Sequence, residues 1–274
     1  STLLASSAAS DVYKRQAETT GSFGGVCGCN LGILTNCYNT GIVKGHEFVG
    51  GVSGSNNNTI TNCYNTGIVS GQSFVGGVSG DNSGTITNCN NEGKVSGTED
   101  YVGGVSGNNN KTITNCYNTG IVSGQSYVGG VNGCNGNGTI INCNATGEVN
   151  GTGSYVGGVI GMNLNKGTIT NCYYDSTIYT GTAIGKNSGT ATKVEGKTTD
   201  EFKTGEVAYL LQLDQSDEVW GQTIGKDTYP TLGGAKVYKN AIYEGCEGKP
   251  GEPVSYEYSN TEKNTYGDHP CLLY

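Results

Sequence analysis

Charge, proline, histidine and arginine are all scarce in this chain. Only 14% of its 274 residues are charged, and it holds 4 Pro, 2 His, 1 Met and 1 Trp. Arg15 is the single arginine and the net charge is −8, which makes nucleic acid a poor partner. No run of ~18 apolar residues occurs, so no segment reads as a membrane span. With only His46 and His269, a His-Glu-x-x-His zinc-protease helix is absent, and a serine-protease triad lacks a nearby base. Glycine, by contrast, is abundant at 48 residues. Pro scarcity and the lack of a three-residue Gly period exclude collagen. A helical bundle is disfavoured, because each helical Gly costs about 1 kcal/mol relative to Ala. Regularly spaced Ile, Val, Tyr and Cys argue against disorder.

Both ends stand apart from the rest. Ser6 through Gln16 resembles a direct translation of a transposase-based sequencing adapter, and Cys271-Leu272-Leu273-Tyr274 resembles the same adapter read from its reverse complement. Residues 1–16 and 271–274 are therefore set aside as adapter-derived. The expected gene fragment runs from near Ala17 to near Pro270, with any signal peptide, anchor or catalytic domain outside it.

Self-similarity dominates what remains. Phe48-Val49-Gly50-Gly51-Val52-Ser53-Gly54 returns at Phe74 to Gly80, Tyr101 to Gly107, Tyr127 to Gly133 and Tyr155 to Gly161, with a degenerate first copy at Ser22 to Gly28. Each copy leads through an Asn-rich link into Thr-Ile-Thr-Asn-Cys-Tyr-Asn-Thr-Gly or a close variant. Cys37, Cys63, Cys89, Cys116, Cys143 and Cys172 follow at intervals of 26, 26, 27, 27 and 29 residues. Short β-branched runs punctuated by Gly and Asn read as strands. No copy carries the 3.6-residue stripe of a helix, and Leu is nearly absent, which excludes helical and leucine-rich repeats.

A single copy of this length cannot bury its few apolar side chains, but stacked copies can. The fold class expected is all-β: a parallel β-helix (β-solenoid) of about six rungs, spanning residues 17–185 and roughly 30 Å long at ~4.8 Å per rung. Ile60, Cys63, Val69, Val75, Val78 and their equivalents should line the core. Gly50-Gly51 suits a bend with positive φ or a close backbone approach. Asn62, Asn88, Asn115, Asn142 and Asn171 are expected to stack at another bend, amide to amide.

The copies resemble the GLUG motifs of large bacterial surface proteins, through Val75-Gly76-Gly77-Val78-Ser79-Gly80 and Gly84-Thr85-Ile86-Thr87-Asn88-Cys89 with their equivalents. The resemblance covers residues 22 to about 185. Such repeats accompany immunoglobulin A peptidases and adhesin-like proteins of gut bacteria, as stalk or adhesive segments without catalysis of their own. It therefore implies an extracellular or cell-surface location.

Eleven cysteines would ordinarily suggest disulfides. Here six form one column, Cys37, Cys63, Cys89, Cys116, Cys143 and Cys172, whose parallel Cβ vectors suit a disulfide poorly. They read as small buried hydrophobes forming a structural ladder. Cys27-Gly28-Cys29 is too close-set for zinc, and Cys29 and Cys134 share a column four rungs apart. Cys246 lies in the tail without a nameable partner. No metal, cofactor or catalytic residue is expected. His46-Glu47 reads as a solvated pair, and the charges of Ala17–Asp175 fall on different columns. A carboxylate pair of Asp81 with Asp100 has nothing in the sequence to set its separation.

Two outward columns bear on binding. With Ile inward, Thr59 and Thr61, Thr85 and Thr87, Thr112 and Thr114, and Thr168 and Thr170 form a hydroxyl array, interrupted at Ile141. Such an array resembles ice-binding solenoids and suits glycan or crystalline-surface adhesion, although β-propensity alone also selects Thr. The aromatic files Phe48, Phe74, Tyr101, Tyr127, Tyr155 and Tyr38, Tyr64, Tyr117, Tyr173 either hold sugars or stack for stability, and stacking is favoured.

Residues 186–245 read as a C-terminal cap, with a helix of about 200–212 opened by a Thr198/Glu201 capping box and a strand at about 235–243. Residues 246–270 read as linker. The functional expectation is a non-enzymatic stalk or adhesin segment of a larger bacterial surface protein, contacting surface glycan or protein. The alternatives are an accessory region of a secreted protease or glycan-active enzyme, and an ice- or crystal-binding solenoid.

Overall fold

The computed structural model describes residues 2–3, 21–213, 215–242, 253 and 255–263. The adapter-like segments, Thr2–Leu3 apart, and Cys246 and Cys271 lie outside the described residues. Two compact units divide at Lys197 and Thr198.

The first unit is a parallel β-solenoid. One rung, followed from Ser53, runs through strands Ser53–Asn56, Thr59–Thr61, Tyr64–Asn65, Val69–Gly71 and Ser73–Gly76. Each strand pairs with its own copy in the rungs on either side, always parallel and in register. Thus Ile60 faces Ile86, Ile86 faces Ile113, and Val69 faces Val95. One file, from Cys27–Asn30 to Ile184–Asn187, is seven-stranded. The ladder continues past residue 185. Ile184–Asn187 pairs with Ile160–Asn163, and Thr190–Lys197 with Thr168–Asp175. This last rung was hard to read because Ala191, Lys193 and Val194 replace the Ile, Asn and Cys that mark the others.

Two apolar files fill the interior. One stacks Leu34, Ile60, Ile86, Ile113, Ile140 and Ile169 beside the six-cysteine column and Val52, Val78, Val105, Val131 and Val159. The other stacks the valines of the Val69 and Val75 columns. Between them in chain order lie two small residues per rung, a buried Asn and the second Gly of the Gly-Gly pair. A Cβ on Gly51 would overlap the Asn65 side chain and the Gly77 carbonyl. Gly50 and Gly51 are thus required by close approach, and neither has positive φ. The left-handed positions of the solenoid are aromatic and asparagine instead, with Lys193 (φ 52°) in the asparagine position of the last rung. Phe48, Phe74, Tyr101, Tyr127 and Tyr155 have φ of 51, 55, 64, 55 and 62°, and Asn62, Asn88, Asn115, Asn142 and Asn171 have 52–53°.

Those asparagines do sit at a bend, and the Asn171 amide donates to Asn142 Oδ1 at 2.7 Å. The continuous amide ladders, however, are two other columns. Asn30, Asn56, Asn82, Asn109, Asn135 and Asn163 each donate Nδ2 to the next Oδ1 at 2.7–2.9 Å, and the file ends on Asn187. Asn39, Asn65 and Asn91 do the same at 2.7 Å, and that file ends on Asn118, which Ala145 follows. In the second file each amide also donates to the carbonyl two residues on, as Asn91 does to Gly93 at 2.7 Å. A buried carboxamide is thereby satisfied at little net cost. Asn91→Ala should therefore lower stability by about 2 kcal/mol, since it strips partners from Asn65, Asn118 and Gly93 inside the core. A urea midpoint unchanged from the parent would contradict this.

The second unit holds α1 (Thr199–Lys203) and α2 (Glu206–Gln212). Thr198 Oγ1 accepts from the Glu201 N–H, and Glu201 Oε2 accepts from the Thr198 N–H, which closes the capping box. The single helix expected over 200–212 is divided at Gly205, whose φ of 89° ends α1. Phe202, Val207, Ala208 and Leu211 are buried, as is Trp220, while Leu210 is half-buried. Tyr238–Ile242 pairs antiparallel with Ser255–Ser259. Part of the stretch read as linker is therefore a strand. Its Ser-Tyr-Glu-Tyr-Ser alternation has the period of two that a strand needs, a signal masked by the Gly, Pro and Glu preceding it.

Candidate functional site

The threonine columns occupy one face of the solenoid. Strand alternation turns Ile60, Ile86, Ile113, Ile140 and Ile169 fully inward and the flanking threonines outward. Thr59, Thr85, Thr112, Thr139 and Thr168 make one half-exposed file, and Thr61, Thr87, Thr114, Ile141 and Thr170 the other. Thr190 and Thr192 prolong both into the last rung. Neighbours lie ~4.8 Å apart between rungs and ~6.7 Å apart along a strand. Thr59 Oγ1 donates to Asn58 Oδ1 at 3.2 Å. The other hydroxyls of the array have no hydrogen-bond partner among the described residues. β-branching restricts χ1, so the array is stiff. Along its border runs the left-handed asparagine column, with Asn36 and Asn62 exposed and Asn88 and Asn142 half-exposed.

The aromatic files offer less. Phe48, Phe74, Tyr101 and Tyr127 stack with centroids 4.8, 4.7 and 4.7 Å apart, Tyr155 follows at 5.1 Å tilted by 45°, and the Lys186 ammonium lies 5.2 Å from the Tyr155 centroid. Faces that cover one another cannot also cover a sugar, so solvent meets ring edges. In the second file Tyr38 and Tyr64 stack at 5.1 Å. Asn90 then interrupts it, and Tyr173 is buried with its hydroxyl donating to Asn171 Oδ1 at 2.7 Å. Burial and the Glu92 carboxylate push the Tyr117 phenol up to about 12.

The cysteine column is buried and its thiols are free. Each Sγ donates to the carbonyl two residues back, as Cys63 does to Thr61 and Cys116 to Thr114, both at 3.2 Å. Burial pushes the Cys116 and Cys172 thiols well above the ordinary cysteine range. Such thiols are unreactive. Cys29 is exposed, and burial raises Cys134, in the same column, to about 11.

The charged candidates remain scattered. Asp81 accepts from Asn108 Nδ2 at 2.8 Å and Ser83 Oγ at 3.2 Å, on the Ser79–Asn82 strand. Asp100 directly precedes Tyr101 of the aromatic file. Glu47 is exposed, whereas the Nδ1 of His46 is buried without a partner, so the pair is only half solvated. Among the described residues no group of three or more His, Cys, Asp or Glu could hold a metal ion.

The fold and its repeating faces define a parallel β-solenoid built from short glycine- and asparagine-rich repeats. Residues 152–179 match the family model described as the GLUG motif. This is a GLUG-repeat protein. A crystal structure from Bacteroides ovatus, described as that of a candidate immunoglobulin A1 protease, shares the fold. Its TM-score is 0.55 at 22% identity, over 73% of this chain and 74% of that one. Comparison with curated proteins found no match.

Proposed function

We propose that this chain is a non-catalytic extracellular repeat module, a stalk or adhesin segment of a larger bacterial surface protein. The observation that carries the reading is the unbroken asparagine file from Asn30 to Asn187. A ladder that passes hydrogen bonds through every rung makes a stiff element whose length follows rung number, which is what a spacer requires. The dispersed charge of the repeats supports the absence of catalysis. No helix among the described residues is long and apolar enough to cross a membrane. The surface or secreted location rests on the GLUG repeats themselves.

The test is geometric. Excision of Cys63 through Asn115 removes two rungs and restores register at the join. The solenoid should fold and shorten by ~10 Å in small-angle scattering. Excision of half a rung should abolish folding. A two-rung deletion that unfolds, or that leaves the maximum dimension unchanged, defeats the spacer reading. The fold shared with the Bacteroides ovatus protein favours a second reading, an accessory region beside a protease. A catalytic domain in the continuous gene would decide for it.

A further inference from the structure

We infer that the threonine–asparagine face binds a neutral, linear polysaccharide laid along the solenoid axis. This inference rests on the extracellular reading and names the ligand class for one of its faces.

The first argument is retention. Several outward columns change identity from rung to rung. One, exposed throughout, runs Ile68, Lys94, Ile121, Glu148, and another, half-exposed except for the buried Cys134, runs Ser55, Asp81, Asn108, Cys134, Met162. The column from Thr59 through Thr85, Thr112, Thr139 and Thr168 to Thr190 holds threonine in six successive rungs, after Ile33 in the rung before them. Its neighbour departs once within the same rungs, at Ile141. Hydrophobic burial cannot be the reason, because these side chains face out. Internal hydrogen bonding cannot be either, because beyond Thr59 none of the hydroxyls has a partner among the described residues. β-propensity would accept Val or Ile at these positions as readily.

The second argument is chemistry. From Asn36 to Asn171 both threonine files and the bordering asparagine file are uncharged, and charge enters only at the margins, through Lys111 and Lys193. The face therefore presents hydroxyls that donate and accept, methyl groups, and carboxamides. An anionic polymer finds no counter-charge there, and a protein partner finds no aromatic or arginine anchor of the kind interfaces use. A neutral sugar chain offers hydroxyls and C–H faces at regular intervals, which is the complement of this pattern. Each rung contributes weakly, and repetition along the axis multiplies the contacts. An ordered water lattice could also meet a hydroxyl array, but it has no use for the asparagine border.

The experiment uses the whole chain against immobilised cellulose, β-1,3-glucan, xylan, mannan and galactan. Retention on at least one matrix is expected. The variant T61V/T87V/T114V/T170V removes hydroxyls while keeping β-branched shape, and should weaken retention about tenfold or more. The control T66V/T119V, on exposed threonines outside the face, should bind like the parent. Circular dichroism and the urea midpoint confirm that both variants fold, and a misfolded quadruple variant is replaced by its two double variants. Binding by none of the matrices overturns the inference, as does retention insensitive to the threonines. Thermal hysteresis without glycan retention transfers the face to ice. Because the spacer test uses no ligand, either reading can fail alone.

Discussion

Gly77→Ala should destabilise the solenoid by about 3 kcal/mol or more, the upper range for overpacking. A Cβ there would overlap the Gly104 carbonyl oxygen and the Asn91 side chain. The carbonyl belongs to the next rung, and its separation is set by the parallel ladder, so it cannot retreat without breaking hydrogen bonds above and below. Shortening Asn91 would not relieve it. At Gly130 the facing residue is already Ala145, and an added Cβ would still overlap the Gly158 carbonyl. Position along the solenoid matters as well. Stability in a stacked array is close to a sum of rung and neighbour terms. Gly25→Ala, in the first rung, should fray one end and leave most of the transition intact. Gly77→Ala divides the array and should broaden or split the urea transition. Equal midpoints for parent and Gly77→Ala would mean that rung spacing is soft, and the close-approach account would fail.

The architecture was legible because stacking forces the same choice on every copy. The Cys spacing supplied the register, and Ile60, Cys63, Val69, Val75 and Val78 are all fully or almost fully buried. The outward threonines followed from alternation alone. The amide ladders were harder to read. Ser55-Asn56-Asn57-Asn58 presents three adjacent asparagines, and turn preference accounts for each equally well. A signal did exist. Asn56 recurs as Asn82, Asn109, Asn135, Asn163 and Asn187, while the position after it becomes Ser83, Asn110, Gly136, Leu164 and Ser188. The left-handed aromatics had no such signal, since propensity argues against Phe or Tyr at positive φ. Neighbouring glycines seemed the better candidates, and only packing shows that ring stacking decides the conformation. The threonine face differs in kind. Its geometry was readable, but a ligand leaves no trace in strand periodicity.

Raising the pH from 8 to 10 should destabilise the solenoid through Cys116 and Cys172. Both thiols are fully buried, and burial holds their ionisation well above the ordinary value. In the unfolded chain a thiol ionises near pH ~8.5. Below that pH both states keep the proton and stability is flat. Above it the unfolded chain releases protons that the native core retains, so each thiol subtracts about 1.4 kcal/mol per pH unit until the native value is reached. Phenols confuse the picture only higher up, because unfolded tyrosine ionises near pH ~10. The measurement is the urea midpoint at pH 8, 9 and 10, for the parent and for C116A/C172A. The double variant starts lower, since each replacement opens a small cavity, but its decline with pH should be shallower than the parent's. Parallel declines would show that the column ionises as readily inside the solenoid as outside. The cysteines would then be no part of a dry core, and a reactive or metal-binding role for the file would have to be reconsidered.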